Sequence, residues 1–147
     1  MSVRSGGAMS ARNIYHDAVV RALQADGWTI THDPYKLAYG DRKLFVDLGA
    51  ERATLAAEKE GRQIAVEIQS FLGRSSVRNL EEAVGQYEVY RMLIEETDPG
   101  RALYMAVHFS AYDEVLADRF GQFIVNRLPL RVVVFDEEEE RIVQWIN

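Results

Sequence analysis

The sequence predicts an α/β domain in which a central mixed β-sheet carries helices on both faces. Three observations lead there. Apolar residues recur at helical spacing in three separated segments, and short runs rich in β-branched and aromatic residues fall between and after them. The resulting order is helix, strands, helix, strand, helix, strands, which calls for a sheet with helices packed against it. One of the strand segments, IAVEIQSF, is apolar almost throughout, as a central strand covered on both faces must be.

The elements follow in chain order. Residues 1–9, which include a Gly-Gly pair and no apolar periodicity, are expected to form a flexible leader before a single domain over 10–147. Ser10 is placed to cap a first helix, whose face is formed by Ile14, Tyr15, Ala18, Val19, Ala22 and Leu23 and which ends at Asp26-Gly27. Trp28 to His32 alternates as a short strand, turned by Asp33-Pro34, and Leu44 to Leu48 is the next strand. Thr54 to Lys59 and Gln63 to Ser70 flank Glu60-Gly61 and suggest a β-hairpin. A second helix runs from Ser76 to Glu96 with a stripe at Val77, Leu80, Val84, Tyr87, Leu93 and Ile94, and Asp98-Pro99-Gly100 stops it. Leu103 to Phe109 forms a buried strand, and Ser110 caps a third helix carrying Val115, Leu116, Phe120, Phe123 and Ile124. Arg131 to Phe135 and Arg141 to Ile146 are the last two strands, and the apolar RIVQWIN segment is a surface through which two chains could form a homodimer.

Composition excludes several classes of function. A chain without cysteine has no disulfide, thiolate metal site or cysteine nucleophile, so any metal must be held by oxygen donors or histidine. No apolar run reaches the roughly 20 residues a membrane helix needs, and the first residues lack a secretory apolar block, so a cytoplasmic protein is expected. The net charge of −6 opposes a broad DNA-binding surface, although five of the negative charges are concentrated at residues 136–140 in an expected solvated turn. There is no phosphate-cradling glycine loop, no G-x-S-x-G elbow and no tandem basic-aromatic pattern.

The residues with chemical potential cluster in the middle of the chain. Side chains at i and i+2 share a strand face, so Glu67 and Gln69 project together. A buried Glu must be paired, protonated or bound to a cation. Its readings are therefore a ligand for a hard ion such as Mg²⁺ or a structural ion pair with Arg52 or Arg74. Asp47, closing the strand LFVDL, would complete a two-carboxylate metal cradle with Glu67. Glu51 and Glu58 compete for that role. With the turn at Glu60-Gly61, Glu67 falls opposite about Thr54, which leaves Glu58 ~13 Å away. Gln86 and Tyr90 lie one turn apart on the second helix and can act together beside a site. His16 and Asp17 adjoin the first helix's apolar face and are weaker candidates, and His32 and His108 have no zinc-like spacing.

Taken together, IYHDAVVRALQADGWTITHDPY, VDLGAE, LAAEKEGRQIAVEIQSFLG, GQYEVYR and the terminal IVQWIN resemble the XisH family along nearly the whole chain from Met9. The resemblance implies a controlling factor for excision of the fdxN element, a DNA segment removed in filamentous cyanobacteria, acting with a recombinase and an XisI-like partner. That family in turn resembles the restriction-endonuclease-like PD-(D/E)XK nucleases. On that pattern Asp47 is the first acid, Glu67 the second, and Gln86 with Tyr90 the Q-x-x-x-Y element. Gln69 departs from it, since a neutral amide stands where lysine is usual; Lys59 lies too far off to substitute. Two readings stay open, a Mg²⁺-dependent DNA endonuclease and a catalytically silent module that binds an XisI-like protein.

Overall fold

The computed structural model describes residues 11–52, 61–71 and 75–147. Its first helix, α1 (Ala11–Ala25), buries Tyr15, Val19, Ala22 and Leu23 at helical spacing. It ends where Gly27 takes φ +97°, a conformation only glycine adopts without strain. Ile14, expected on the apolar face, is 60% exposed instead.

Four short strands follow: β1 (Thr29–His32), β2 (Tyr35–Tyr39), β3 (Arg42–Val46) and β4 (Leu48–Arg52). The expected single strand Leu44 to Leu48 is broken at Asp47. Before the break the chain pairs with β2 in a separate two-stranded ribbon, and after it the chain enters the main sheet beside β1. A one-residue bend thus divides one apolar run between two sheets, which period-2 alternation cannot reveal.

Next come β5 (Arg62–Ile68), α2 (Ser76–Thr97) and β6 (Arg101–His108). The Ser75 hydroxyl accepts from the Arg78 peptide N–H and caps α2. The chain continues through the single turn α3 (Phe109–Ala111), a π-helical turn at Tyr112–Leu116, α4 (Arg119–Arg127), β7 (Val132–Asp136) and β8 (Arg141–Ile146). The third helix is therefore divided. Ser110 does not cap it; Asp118 caps α4 by accepting from the Gly121 N–H at 2.7 Å. Phe120 and Phe123, expected in the core, are 52% and 53% exposed.

The main sheet has the order β1-β4-β5-β6-β7-β8, with β5, β6 and β7 parallel and the outer pairings antiparallel. As expected, Gln63 to Ile68 lies inside, between β4 and β6. Its residues Ile64 to Ile68 are all buried. The β5–α2–β6 crossover and the one carrying α4 both place their helices on one face, where Ala65, Met105 and Val134 pack with Leu80, Tyr87 and Val125. Helix α1 covers the opposite face over Leu48, Val66 and Tyr104. Among the described residues no helix is long and apolar enough to cross a membrane.

The strand expected at Thr54 to Lys59 lies outside the described residues, as do the leader and Ser10. The antiparallel partner of β5 is β4, with Leu48 opposite Val66, so the next rung brings Asp47 to Glu67. That replaces the expected register, in which Glu67 faced about Thr54.

Candidate functional site

Glu67 sits at the end of a strand with neighbours on both sides, and only 2% of it is exposed. Its side chain shares the α2-side face with Ala65. A carboxylate at this depth requires compensating donors. One is the Asp47 peptide N–H, which donates to Glu67 Oε1 at 3.2 Å. The arrangement is reciprocal, because the Ile68 N–H donates to Asp47 Oδ2 at 2.8 Å. Each carboxylate is thus pinned by backbone from the other's strand, at the rung where the β4–β5 ladder would otherwise end. The bend at Asp47 turns that residue's polar groups toward β5.

Just beyond the end of β5, the Gln69 N–H donates to the Ala106 carbonyl at 2.9 Å, which holds it against β6. Its side-chain amide donates to Gln86 Oε1 on α2. Gln86 Nε2 donates to the Tyr90 hydroxyl at 3.3 Å, and that hydroxyl donates to the Phe45 carbonyl at 3.3 Å. A polar line therefore runs from β5 across α2 to β3 and ends two residues before Asp47. The i, i+4 spacing on α2 positions the amide and phenol together as the sequence suggested.

The competing residues go elsewhere. Glu51 accepts from Gln63 Nε2 at 3.3 Å, three rungs along the ladder from Leu48. Arg52, a candidate ion-pair partner of Glu67, donates instead to the Asp26 carbonyl and lies over the Trp28 ring. His16 pairs with Asp33 at 2.9 Å. His108 packs between Tyr15 and Phe135 on the α1 side, and His32 packs edge-on against Tyr35. Glu58, Lys59 and Arg74 lie outside the described residues.

The Asp47–Glu67 donor set is all oxygen and anionic, which fits a hard ion such as Mg²⁺ and suits no soft metal. Among the described residues no third His, Asp or Glu joins the pair. Two carboxylates suffice for Mg²⁺, which completes its shell with water and substrate oxygens. What sequence reasoning missed is the backbone's part: the peptide groups of Asp47, Ile68 and Phe45 build the site as much as the side chains do. It also missed the β2–β3 ribbon, for which the alternation of Tyr35 to Tyr39 and the Gly40-Asp41 pair were available signals.

Residues 9–143 match the family model of the XisH protein. Two solved structures are similar over nearly their whole length. An XisH family protein from Nostoc punctiforme is 35% identical, with a TM-score of 0.82 over 91% of this chain and 99% of its own. A fdxN element excision controlling factor protein from Anabaena variabilis is also 35% identical, with a TM-score of 0.81 over 92% of this chain and 100% of its own. Among curated proteins the chain has no match.

Proposed function

The chain belongs to the XisH family, and from that premise we propose that it is a controlling factor in the excision of a DNA element of the fdxN type. In this reading the scaffold is of the PD-(D/E)XK nuclease kind, and Asp47 and Glu67 hold Mg²⁺ for phosphodiester hydrolysis. The observation that carries it is the interlocked carboxylate pair at the end of a central strand, with one member almost fully buried. Two anionic side chains brought together repel each other, and a divalent cation relieves that repulsion.

Each residue has a role set by its position. Glu67, rigid in the sheet, fixes the ion's depth. Asp47, on the bend, closes the cradle from the β3–β4 side. When bound, Mg²⁺ supplies Lewis-acid polarisation of a phosphoryl oxygen and lowers the pKa of a bound water. Gln69 orients that water or a phosphate oxygen through an amide dipole, and Gln86 with Tyr90 holds the Gln69 amide in place. The test is a cleavage assay on linear, nicked and branched DNA with Mg²⁺, alone and with an XisI-like partner. Mg²⁺-dependent cleavage that vanishes in Glu67→Gln is the expected result.

The second reading is an interaction module that binds an XisI-like protein without cleaving DNA. It is favoured by Gln69, whose amide is already engaged by Gln86 and brings no positive charge to a phosphate. Folded protein that binds the partner while cleaving nothing supports this second reading over the first.

A further inference from the structure

Helix α2 packs against one face of the β2–β3 ribbon and leaves the other face open. Tyr35, Leu37 and Val46 point inward and are buried in the α2-side core. The rungs Lys36–Phe45 and Ala38–Lys43 point outward, and all four residues are exposed, Phe45 by 50%. At the tip, Gly40 takes φ +59° in a two-residue turn, and the flanking Tyr39–Arg42 rung exposes 56% of Tyr39. The ribbon therefore presents Lys36, Lys43 and Phe45 on its outward face, with Arg42 and Tyr39 exposed beside them at the tip.

Several other cations among the described residues are paired. Arg21, Arg52, Arg91, Arg101 and Arg141 are each neutralised by a carboxylate. Lys36, Arg42 and Lys43 form no ion pair among the described residues, in a chain whose net charge is −6. They also lead into the candidate site. The Lys36–Phe45 rung is two residues from Asp47, ~7 Å along the strand, and Lys43 is ~13 Å away. The Phe45 carbonyl is tied to Tyr90. A carboxylate pair repels a polyanion, so DNA needs a positively charged approach beside it, and this ribbon is one.

We propose that the outward face of the β2–β3 ribbon, together with its tip, docks on the sugar–phosphate backbone of duplex DNA and guides it to the Asp47–Glu67 site. A two-stranded ribbon is narrow enough to follow a groove, with its cations on phosphates, Phe45 against the sugar edges and Tyr39 at the leading tip. The inference deepens the proposed function and rests on DNA being the partner.

The test uses the full chain and a labelled duplex, with affinity followed by fluorescence anisotropy between about 50 and 200 mM salt. Wild type is compared with Lys36→Gln/Arg42→Gln/Lys43→Gln and with a control, Arg119→Gln/Arg127→Gln/Arg131→Gln, which removes three cations elsewhere. Each phosphate contact contributes about 0.9 to the slope of log affinity against log salt, so the ribbon variant should lose about 2.7 of that slope and the control almost none. Its affinity at the lowest salt should fall at least tenfold. Equal losses in both variants, binding of single strands only, or no duplex binding by wild type would overturn the proposal. A Mg²⁺ titration of the ribbon variant separates this proposal from the site reading. Retained Mg²⁺ binding with lost DNA binding supports both. Wild type that binds DNA through the ribbon but takes no Mg²⁺ removes the metal site alone.

Discussion

Asp47 and Glu67 show how far a side chain's role depends on the backbone beside it. Period-2 alternation placed Glu67 and Gln69 on one strand face, and the end of the LFVDL run, with the family resemblance, nominated Asp47 as the first acid beside Glu67. The reciprocal peptide bonds that hold the two acids were not legible there, because they arise from a bend that breaks an otherwise strand-like run. Gln69 is the informative substitution. If the site is competent but weak, Gln69→Lys should raise Mg²⁺-dependent cleavage about a hundredfold, since an ammonium stabilises developing charge worth about 2.7 kcal/mol. Cleavage rates of wild type, Gln69→Lys and the Gln69→Lys/Glu67→Gln double variant check this, and gain in the double variant would contradict it.

Two further residues allow predictions independent of DNA. Tyr87 is buried, donates to the Leu103 carbonyl at 3.2 Å and accepts from the Arg131 N–H at 3.1 Å. Burial raises its pKa, so the hydroxyl stays neutral and keeps both bonds. Tyr87→Phe leaves two backbone groups without that partner and should cost about 1–3 kcal/mol in urea unfolding. For Asp98, burial pushes the carboxyl up. The Arg101 guanidinium at 2.9 Å and the Tyr35 hydroxyl at 2.8 Å outweigh it, holding the group below its ordinary value of 3.8. A depressed folded pKa means that the stabilisation is present above 3.8 and is lost as pH falls through the folded value. Asp98→Asn should therefore flatten the acid limb of the stability profile between about pH 5 and pH 2, measured by urea midpoint. An unchanged acid limb would show that the Asp98 cluster is not coupled to folding.

At the scale of elements, the long regular segments were the legible ones. Helix α2 was expected from Ser76 to Glu96 and runs from Ser76 to Thr97; the central strand, read from its near-continuous apolar run, and both C-terminal strands lie within a residue or two of their expected places. The failures share a physical cause. A helical stripe read through Val115, Leu116, Phe120, Phe123 and Ile124 assumes one continuous helix, but the π turn and the Asp118 cap rotate α4 out of phase. Gly121 and Val125 face the core while Phe123 lies under the Arg127 guanidinium. Gly121 makes this packing possible, because a Cβ there would stand 2.4 Å from the Val115 carbonyl oxygen and 2.6 Å from the Leu116 Cα. Backbone cannot yield as a side-chain tip can, so Gly121→Ala should destabilise the protein by about 3 kcal/mol, read as a lowered urea midpoint. A loss within a few tenths would mean that α4 shifts freely.

Across the whole molecule, the mixed sheet separates its tasks by face and by end. Helix α1 seals one face, and α2 seals the other while supplying Gln86 and Tyr90. The carboxylates stand at the carboxyl ends of the parallel strands, where open α/β sheets have their crevices. Net charge could not reveal this arrangement. The acidic run between β7 and β8 and the cations of the β2–β3 ribbon cancel in a sum but lie on different elements. The central claim is that Asp47 and Glu67 together hold a divalent cation. Isothermal titration of Mg²⁺ into wild type, Glu67→Gln and Asp47→Asn tests it most directly, because both amides keep an oxygen that can accept the backbone bonds while removing the charge. The account predicts a single site in wild type, abolished in Glu67→Gln and strongly weakened in Asp47→Asn, with all three proteins folded; equal Mg²⁺ affinity in the three would contradict it.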